Sequence, residues 1–143
     1  MGRPSQFDPV FGRAVARRVE ARVKLQRAII FAKDLEVMRR FYGEKLGLEP
    51  IPESQQPGWI EFEAGASRLA LHAIPETIAN SISVADPVQP REATPIKLVF
   101  AVGDVDAERS RLMAQGVTMF TTRPWGACDG IDPEGNVFQL AKQ

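Results

Sequence analysis

Few residues in this chain have the chemistry to act on a substrate. His72 is the only histidine, and so the only side chain whose unperturbed pKa lies near neutrality. It has no matched nucleophile or carboxylate beside it in sequence, which makes it a weak general-base candidate, with Glu61 as a second. Cys128 follows Pro124-Trp125-Gly126-Ala127 in a loop; a thiolate nucleophile needs a base or a cationic neighbourhood, and a small packing residue is the simpler role. Gln139 is placed more tellingly. Asp132, Pro133, Gly135 and Asn136 favour a turn, and the alternating run that follows puts Gln139 on one face with Val137 and Ala141, opposite Phe138 and Leu140. The last strand is expected over 130–141. Trp59 and Trp125 offer large apolar area with one donor each, as a ligand wall needs, although core packing explains them equally well.

Composition bounds what these residues can serve. The chain has 143 residues, 44% hydrophobic and 25% charged, enough for one compact soluble unit. Eighteen basic residues balance eighteen acidic ones, so no global field argues for nucleic acid or membrane as a partner. The positive charge is concentrated before residue 28, where seven Arg and Lys face only Asp8 and Glu20. Val15, Val19 and Val23 recur there with arginines between them, the pattern of a short amphipathic helix. Residues 1–24 therefore read as a basic, partly helical N-terminal extension that is solvated or packs on a partner; contact with nucleic acid is the lesser reading. One cysteine excludes an internal disulfide and suits a reducing compartment. The chain lacks the run of about 18 apolar residues that a membrane span requires, and a cytoplasmic location is expected.

The elements that must position these residues repeat. Leu25 to Ala32 reads as a strand, Asp34 as an N-cap, Leu35, Met38, Phe41, Tyr42 and Leu46 as a helix face, and Gly47 as its stop. Trp59 to Glu63, the turn Ala64-Gly65-Ala66 and Arg68 to Ala73 complete the unit as a hairpin. Residues 75–94, with Pro75, Pro87 and Pro90, have the composition of a linker. Ile96 to Val102 is then a strand, Asp104 an N-cap, Val105, Leu112 and Met113 a helix, and Gly116 its stop. Lys97 follows Arg27, Asp104 follows Asp34, and Gly135 follows Gly65, each by 70 residues, and Gly116 follows Gly47 by 69. One offset relating four landmarks indicates a duplicated β-α-β-β-β unit. The expected class is α+β, with modules over 25–74 and 95–142 in a domain spanning 25–143.

Lys33-Asp34-Leu35, Phe41-Tyr42, Leu46-Gly47-Leu48, Val102-Gly103-Asp104-Val105-Asp106, Gly116-Val117, Pro124-Trp125-Gly126 and Asp132-Pro133-Glu134-Gly135-Asn136 together resemble the vicinal-oxygen-chelate superfamily of glyoxalases, bleomycin-resistance proteins and extradiol dioxygenases. The resemblance implies two βαβββ modules that pair into a cupped mixed sheet around one pocket, commonly in a homodimer. In metal-using members a side chain from the first and the last strand of each module binds one divalent ion. Carried onto this sequence, those positions are Arg27, Ala70, Lys97 and Gln139. Arginine and lysine stay protonated and alanine has no donor atom, so only Gln139 could ligate a hard ion. No metal and no other cofactor are expected. The segment between Gly126 and Asp132 also looks about two residues shorter than the family pattern, which predicts a frayed penultimate strand and an open pocket side.

Two readings of the cations remain open. Arg27 and Lys97 could enter the pocket from opposite modules, with His72 on the face of Ala70, and select a small anionic ligand; or they could be neutralised within the protein, Arg27 by Glu61 or Glu63. The expected ligand contacts are Arg27, His72, Lys97, Gln139, Trp59 and Trp125. Binding of a small molecule without transforming it is the favoured function. A glyoxalase-like lyase, isomerase or dioxygenase, metal-free or with a displaced metal site, is the rival, and a regulator using the basic N-terminal segment the third.

Overall fold

A computed structural model describes residues 22–143. Val15 and Val19 of the expected N-terminal helix lie outside them. Strand β1, Arg27–Ala32, is followed by Asp34, which holds an extended backbone while its side chain accepts the Val37 N–H at 3.2 Å. This satisfies one of the donors that a helix start leaves free. Helix α1, Leu35–Arg39, runs on through π-helical turns over Arg40–Lys45 and stops before Gly47, whose φ of 95° is open to glycine at little cost. Strands β2 (Glu49–Pro50), β3 (Trp59–Ala64) and β4 (Ser67–Ala73) complete the first module. Within the linker only a short helix, α2 (Glu76–Ala79), forms. The second module repeats the order with β5 (Leu98–Val102), α3 (Val105–Ala114), β6 (Thr118–Met119), β7 (Cys128–Ile131) and β8 (Val137–Lys142). Asp104 caps α3 as Asp34 caps α1, accepting from the Ala107 N–H at 3.0 Å.

The strands form two four-stranded mixed sheets, β1-β4-β3-β2 and β5-β8-β7-β6, in each of which the first strand is parallel to the last and the other pairs are antiparallel. This is the α+β arrangement of two βαβββ modules. Several details differ from expectation: β1 begins at Arg27 and β5 at Leu98, each two residues later than expected. Gly130 and Ile131 do not begin the last strand; they end β7, where they pair with Phe138 and Val137. Nor is β7 frayed, since all four of its residues are buried and it pairs on both sides. Gly130 shows why the strand is tight: a Cβ there would run into the Met119 Sδ and lie 2.8 Å from the Phe138 Cζ.

Both sheets turn one face inward. Phe62, Leu69 and Leu71 of the first and Phe138 and Leu140 of the second join Met38, Phe41, Tyr42 and Leu112 in one buried cluster. Phe41 meets Phe138 at 5.7 Å between ring centroids, and Tyr42 meets Phe100 at 6.5 Å. The second module also holds both ends of the first module's helical segment. Glu134, in the turn between β7 and β8, accepts the Lys33 and Asp34 N–H groups at 2.9 and 2.7 Å. The Arg111 guanidinium donates to the Lys45 carbonyl at 2.9 Å and the Leu46 carbonyl at 3.4 Å. Negative charge at a helix start and positive charge at its end both complement the helix dipole. Asp132, fully buried in the same turn, accepts the Tyr42 hydroxyl at 2.7 Å, the Glu134 and Asn136 N–H groups, and the Asn136 amide. Burial, with the charge of Asp132 beside it, pushes the Tyr42 phenol well above its ordinary value, so it remains a donor.

Among the described residues no helix is long and apolar enough to cross a membrane. Because Asp132 serves four donors, its replacement leaves buried groups unpaired. Asp132→Ala should cost about 3 kcal/mol and Tyr42→Phe about 1 kcal/mol, each read as a lower urea midpoint. Equal midpoints for wild type and Asp132→Ala would remove the turn from the account of how the modules are joined.

Candidate functional site

The faces of the two sheets turned away from the core carry the candidate residues. On the first, β1 offers Arg27, Ile29 and Phe31, in register with Arg68, Ala70 and His72 on β4; Trp59, Glu61 and Glu63 on β3 stand opposite the same β4 residues. Glu61 is 2% exposed, and its carboxylate is fully engaged. The Arg27 Nε donates to it at 2.7 Å, the Ser54 hydroxyl donates to its other oxygen, and Arg68 lies 3.9 Å away. Since β4 lies between β1 and β3, the Arg27 side chain must cross β4 to reach Glu61, and the residue opposite Glu61 there is Ala70. A side chain with no reach beyond its Cβ is what this crossing needs, and Ala70 is 0% exposed beneath it. The Arg27 guanidinium also lies 5.9 Å over the Trp59 ring, a favourable cation–π placement.

The second sheet repeats the pairing with different lengths. Asp129 on β7 is buried and stands opposite Gln139 on β8. Its Oδ1 accepts the Gln139 amide at 2.9 Å; its Oδ2 accepts Lys97 at 3.0 Å and Arg123 at 3.3 Å. Lys97 thus parallels Arg27, Asp129 parallels Glu61, and Gln139 fills the place of Ala70, where the shorter Asp and Lys leave room for an amide. Around this group opens a cleft of about 750 Å³, walled by Lys97, Asp129 and Val137, by Phe120 to Pro124, and by the linker from Pro90 to Ile96. Of the expected ligand contacts only Lys97 is among its walls; Arg27, Trp59, His72, Trp125 and Gln139 are not. Each first-strand cation has its own carboxylate on its own sheet.

The remaining candidates separate. His72 is exposed and packs between Phe31 and Trp59, each at 5.5 Å between ring centroids; among the described residues it forms no hydrogen bond to a carboxylate or hydroxyl. Trp59 is half-buried, its indole N–H 3.4 Å from the Ser54 hydroxyl oxygen. Trp125 is 71% exposed beside the cleft, with Arg123 5.7 Å over its ring. Cys128 is buried, its thiol donates to the Phe120 carbonyl at 3.1 Å, and burial pushes the thiol pKa up, the opposite of an activated nucleophile. Among the described residues no group of three or more His, Cys, Asp or Glu is placed to hold a metal ion.

Asp129, Arg123 and Ser54 were not identified from sequence. A signal for Asp129 existed in the repeat, but it was displaced. The hairpin of the first module encloses four residues between the paired Glu63 and Arg68, that of the second encloses five between the equivalent Ile131 and Val137. The longer turn slides β7 backward, so the counterpart of Glu61 lies 68 residues later at Asp129, and not 70 later at Ile131.

Burial alone would raise both carboxyl pKa values. Hydrogen bonds from Ser54 and Arg27 outweigh it at Glu61, and those from Gln139, Lys97 and Arg123 outweigh it at Asp129, so both lie below their ordinary values. A folded pKa below the unfolded one stabilises the fold above the unfolded value, near about 4. That contribution disappears as the pH falls through the folded value. The urea midpoint should therefore be level near neutrality and drop below about pH 4. Arg27→Met should cost about 2 to 4 kcal/mol at neutral pH, where Glu61 is left charged and buried, and distinctly less near pH 3, where Glu61 takes up a proton. A deficit that is the same at both pH values would mean that Arg27 acts by packing alone.

The geometry can be set beside known proteins. A family model described as a glyoxalase-like domain matches residues 27–141. Comparison with curated protein sequences gives no match. Among solved structures, a glyoxalase/bleomycin resistance protein/dioxygenase from Nocardioides is 21% identical with a TM-score of 0.61, covering 92% of this chain and 91% of its own. Lactoylglutathione lyase from Agrobacterium tumefaciens is 23% identical with a TM-score of 0.60, covering 86% and 96%. An antibiotic binding protein from a Streptomyces species is 24% identical with a TM-score of 0.61, covering 86% and 98%. At such identities these likenesses establish the fold. The family match spans both modules, from the first residue of β1 to the last strand, and the chain therefore belongs to the glyoxalase-like domain family of the vicinal-oxygen-chelate superfamily.

Proposed function

We propose that this protein binds a small organic molecule at the cleft beside Lys97 and Asp129 and releases it unchanged, without a metal ion. One observation carries this reading: the positions where metal-using members resemble one another hold Arg27, Ala70, Lys97 and Gln139, and both cations are committed to buried carboxylates. A divalent ion at this place would have to take Glu61 or Asp129 from its cations, and of the four positions only Gln139, beside Asp129, would add a donor to the freed carboxylate. The Gln139 amide N–H is itself given to Asp129. The metal-assisted lyase, isomerase or dioxygenase chemistry of the superfamily needs a Lewis acid that these residues are poorly suited to hold. His72, the one histidine, stands on the other sheet and outside this cleft. The Streptomyces relative, described as an antibiotic binding protein, offers a precedent for binding on this fold.

A homodimer fits the same picture. Ile29, Phe31 and Val99 are large apolar side chains left exposed on the outward sheet faces, Phe31 at 59%, and a second copy would cover them. The single cysteine, free and buried, is compatible with action in a reducing cytoplasm.

Thermal-shift measurements against a panel of small organic molecules, with zinc, nickel, iron or a chelator added in parallel, test the proposal. Stabilisation by organic ligands that is indifferent to metal and chelator is expected, and light scattering should give the mass of two chains. Stoichiometric metal in the purified protein, lost on substitution of Gln139, would overturn the metal-free reading.

A further inference from the structure

Glu61 and Asp129 are equivalent positions, but only Asp129 opens on a roomy cleft, and the charges there do not balance. Its two oxygens carry one negative charge against Lys97 and Arg123, so the trio has one positive charge to spare. Farther out on the cleft wall, Arg91 and Glu92 offset one another. Position matters as much as sum. Asp129 is 5% exposed, whereas the side chains of Lys97 and Arg123 are 40% and 49% exposed. A ligand entering the cleft meets the cationic heads first and the carboxylate behind them. Lys97 has ammonium protons to spare beyond the one given to Asp129, and Arg123 keeps most of its guanidinium donors. Arg123 is moreover held in place, with its guanidinium against Trp125 on one side and bonded to Asp129 on the other. The rest of the wall is mixed: Thr94, Thr121 and Thr122 stand among the apolar Phe120, Ile96 and Val137, and Phe120 and Ile96 are exposed. Two exposed cationic heads and an exposed ring lining the same cleft suit a molecule with an anionic head and a flat apolar body.

Resting on the small-molecule reading above, we propose that the cleft is selective for aromatic carboxylates and like organic anions, with the anionic head on Lys97 and Arg123 and the ring against Phe120 and Val137. Arg27 has no part in it, because its guanidinium serves Glu61 on the other sheet.

The test is calorimetric titration of the full chain with 2-naphthoate, with 2-naphthol as the same body uncharged, and with acetate as the same charge without a body. The expected result is saturable binding of 2-naphthoate at least about tenfold tighter than either comparison compound. Lys97→Met and Arg123→Gln should each weaken 2-naphthoate by about tenfold while leaving 2-naphthol unchanged. Arg40→Gln, on the outside of the helical segment, should bind like wild type. Arg123→Gln removes a side chain that is half exposed and so keeps the test open should Lys97→Met fold poorly. Equal binding of 2-naphthol and 2-naphthoate, or 2-naphthoate binding that both variants leave intact, would overturn the anion assignment while preserving the small-molecule reading. No binding of any of the three, joined to a flat response across the wider panel, would overturn both.

Discussion

The turn between β7 and β8 places two carboxylates where water cannot reach them, and the rest of the molecule depends on their being satisfied there. Glu134 gives up most of its solvent to receive two backbone N–H groups at the start of the first module's helix. Asp132 gives up all of it to receive four donors, one of them the Tyr42 hydroxyl from that same helical segment. An unpaired buried carboxylate is among the most costly groups a fold can contain. The turn is therefore favourable only when the helix of the first module stands in one place beside the strands of the second. Apolar contact across the shared core would tolerate sliding; directed hydrogen bonds to two backbone amides and a phenol do not. Arg111, bonded to the last carbonyls of the helical segment, fixes its other end.

That clamp acts on the core side of the sheets and leaves the opposite faces free for a site. On those faces each module solves one electrostatic problem in its own way. The first-strand cation is long in one case, Arg27, and meets Glu61 by crossing over Ala70. In the other, Lys97 meets the shorter Asp129, and Gln139 adds a bond from the intervening strand. Exchanging parts between the two sets would fail for reasons of length: a glutamine at position 70 would occupy the path of Arg27, and an alanine at 139 would leave one oxygen of Asp129 without its donor. The residue types at positions 27, 70, 97 and 139 are therefore coupled within each sheet.

Much of this architecture was legible in the sequence because it rests on local rules. Asp34 and Asp104 cap the helices they precede, Gly47 and Gly116 stop them with positive φ, and the alternation around Gln139 gives the face it occupies. The two-module α+β class follows from the repeat. What escaped depends on pairing between strands distant in the chain. The equivalent pairs Glu63–Arg68 and Ile131–Val137 enclose four and five residues, so β8 follows its counterpart by 69 residues and β7 by 68, two short of the 70 that relates Gly135 to Gly65. A shift by two preserves the face and changes the neighbour, so parity arguments survived while the partner of Lys97 was missed. The expectation that β7 would fray failed as well: the strand pairs along its whole length with β8 and through Gly130 and Ile131 with β6.

The same turn explains why the two sheets do not offer equivalent sites. In the first module the stretch before β3 folds back tightly: Gln55 bonds the Ile51 and Glu61 carbonyls through its amide, and Ser54 is brought onto Glu61. Glu61 is thereby closed over by its own loop and by Arg27. In the second module the corresponding stretch, from Phe120 to Ala127, closes a turn in which the Gly126 N–H donates to the Arg123 carbonyl and the Arg123 N–H to the Ala127 carbonyl, and it returns a single basic side chain, Arg123, to Asp129. The linker is tied to the β7–β8 turn by the Arg91 N–H bond to the Gly135 carbonyl, so it forms the far wall and does not fill the space. A Cβ at position 135 would collide with the Gln89 carbonyl on this path, so the glycine that permits the turn also permits the linker to pass. One turn thus joins the modules through Asp132 and Glu134 and, by carrying the linker along the far wall, helps shape the cleft on which Asp129 opens.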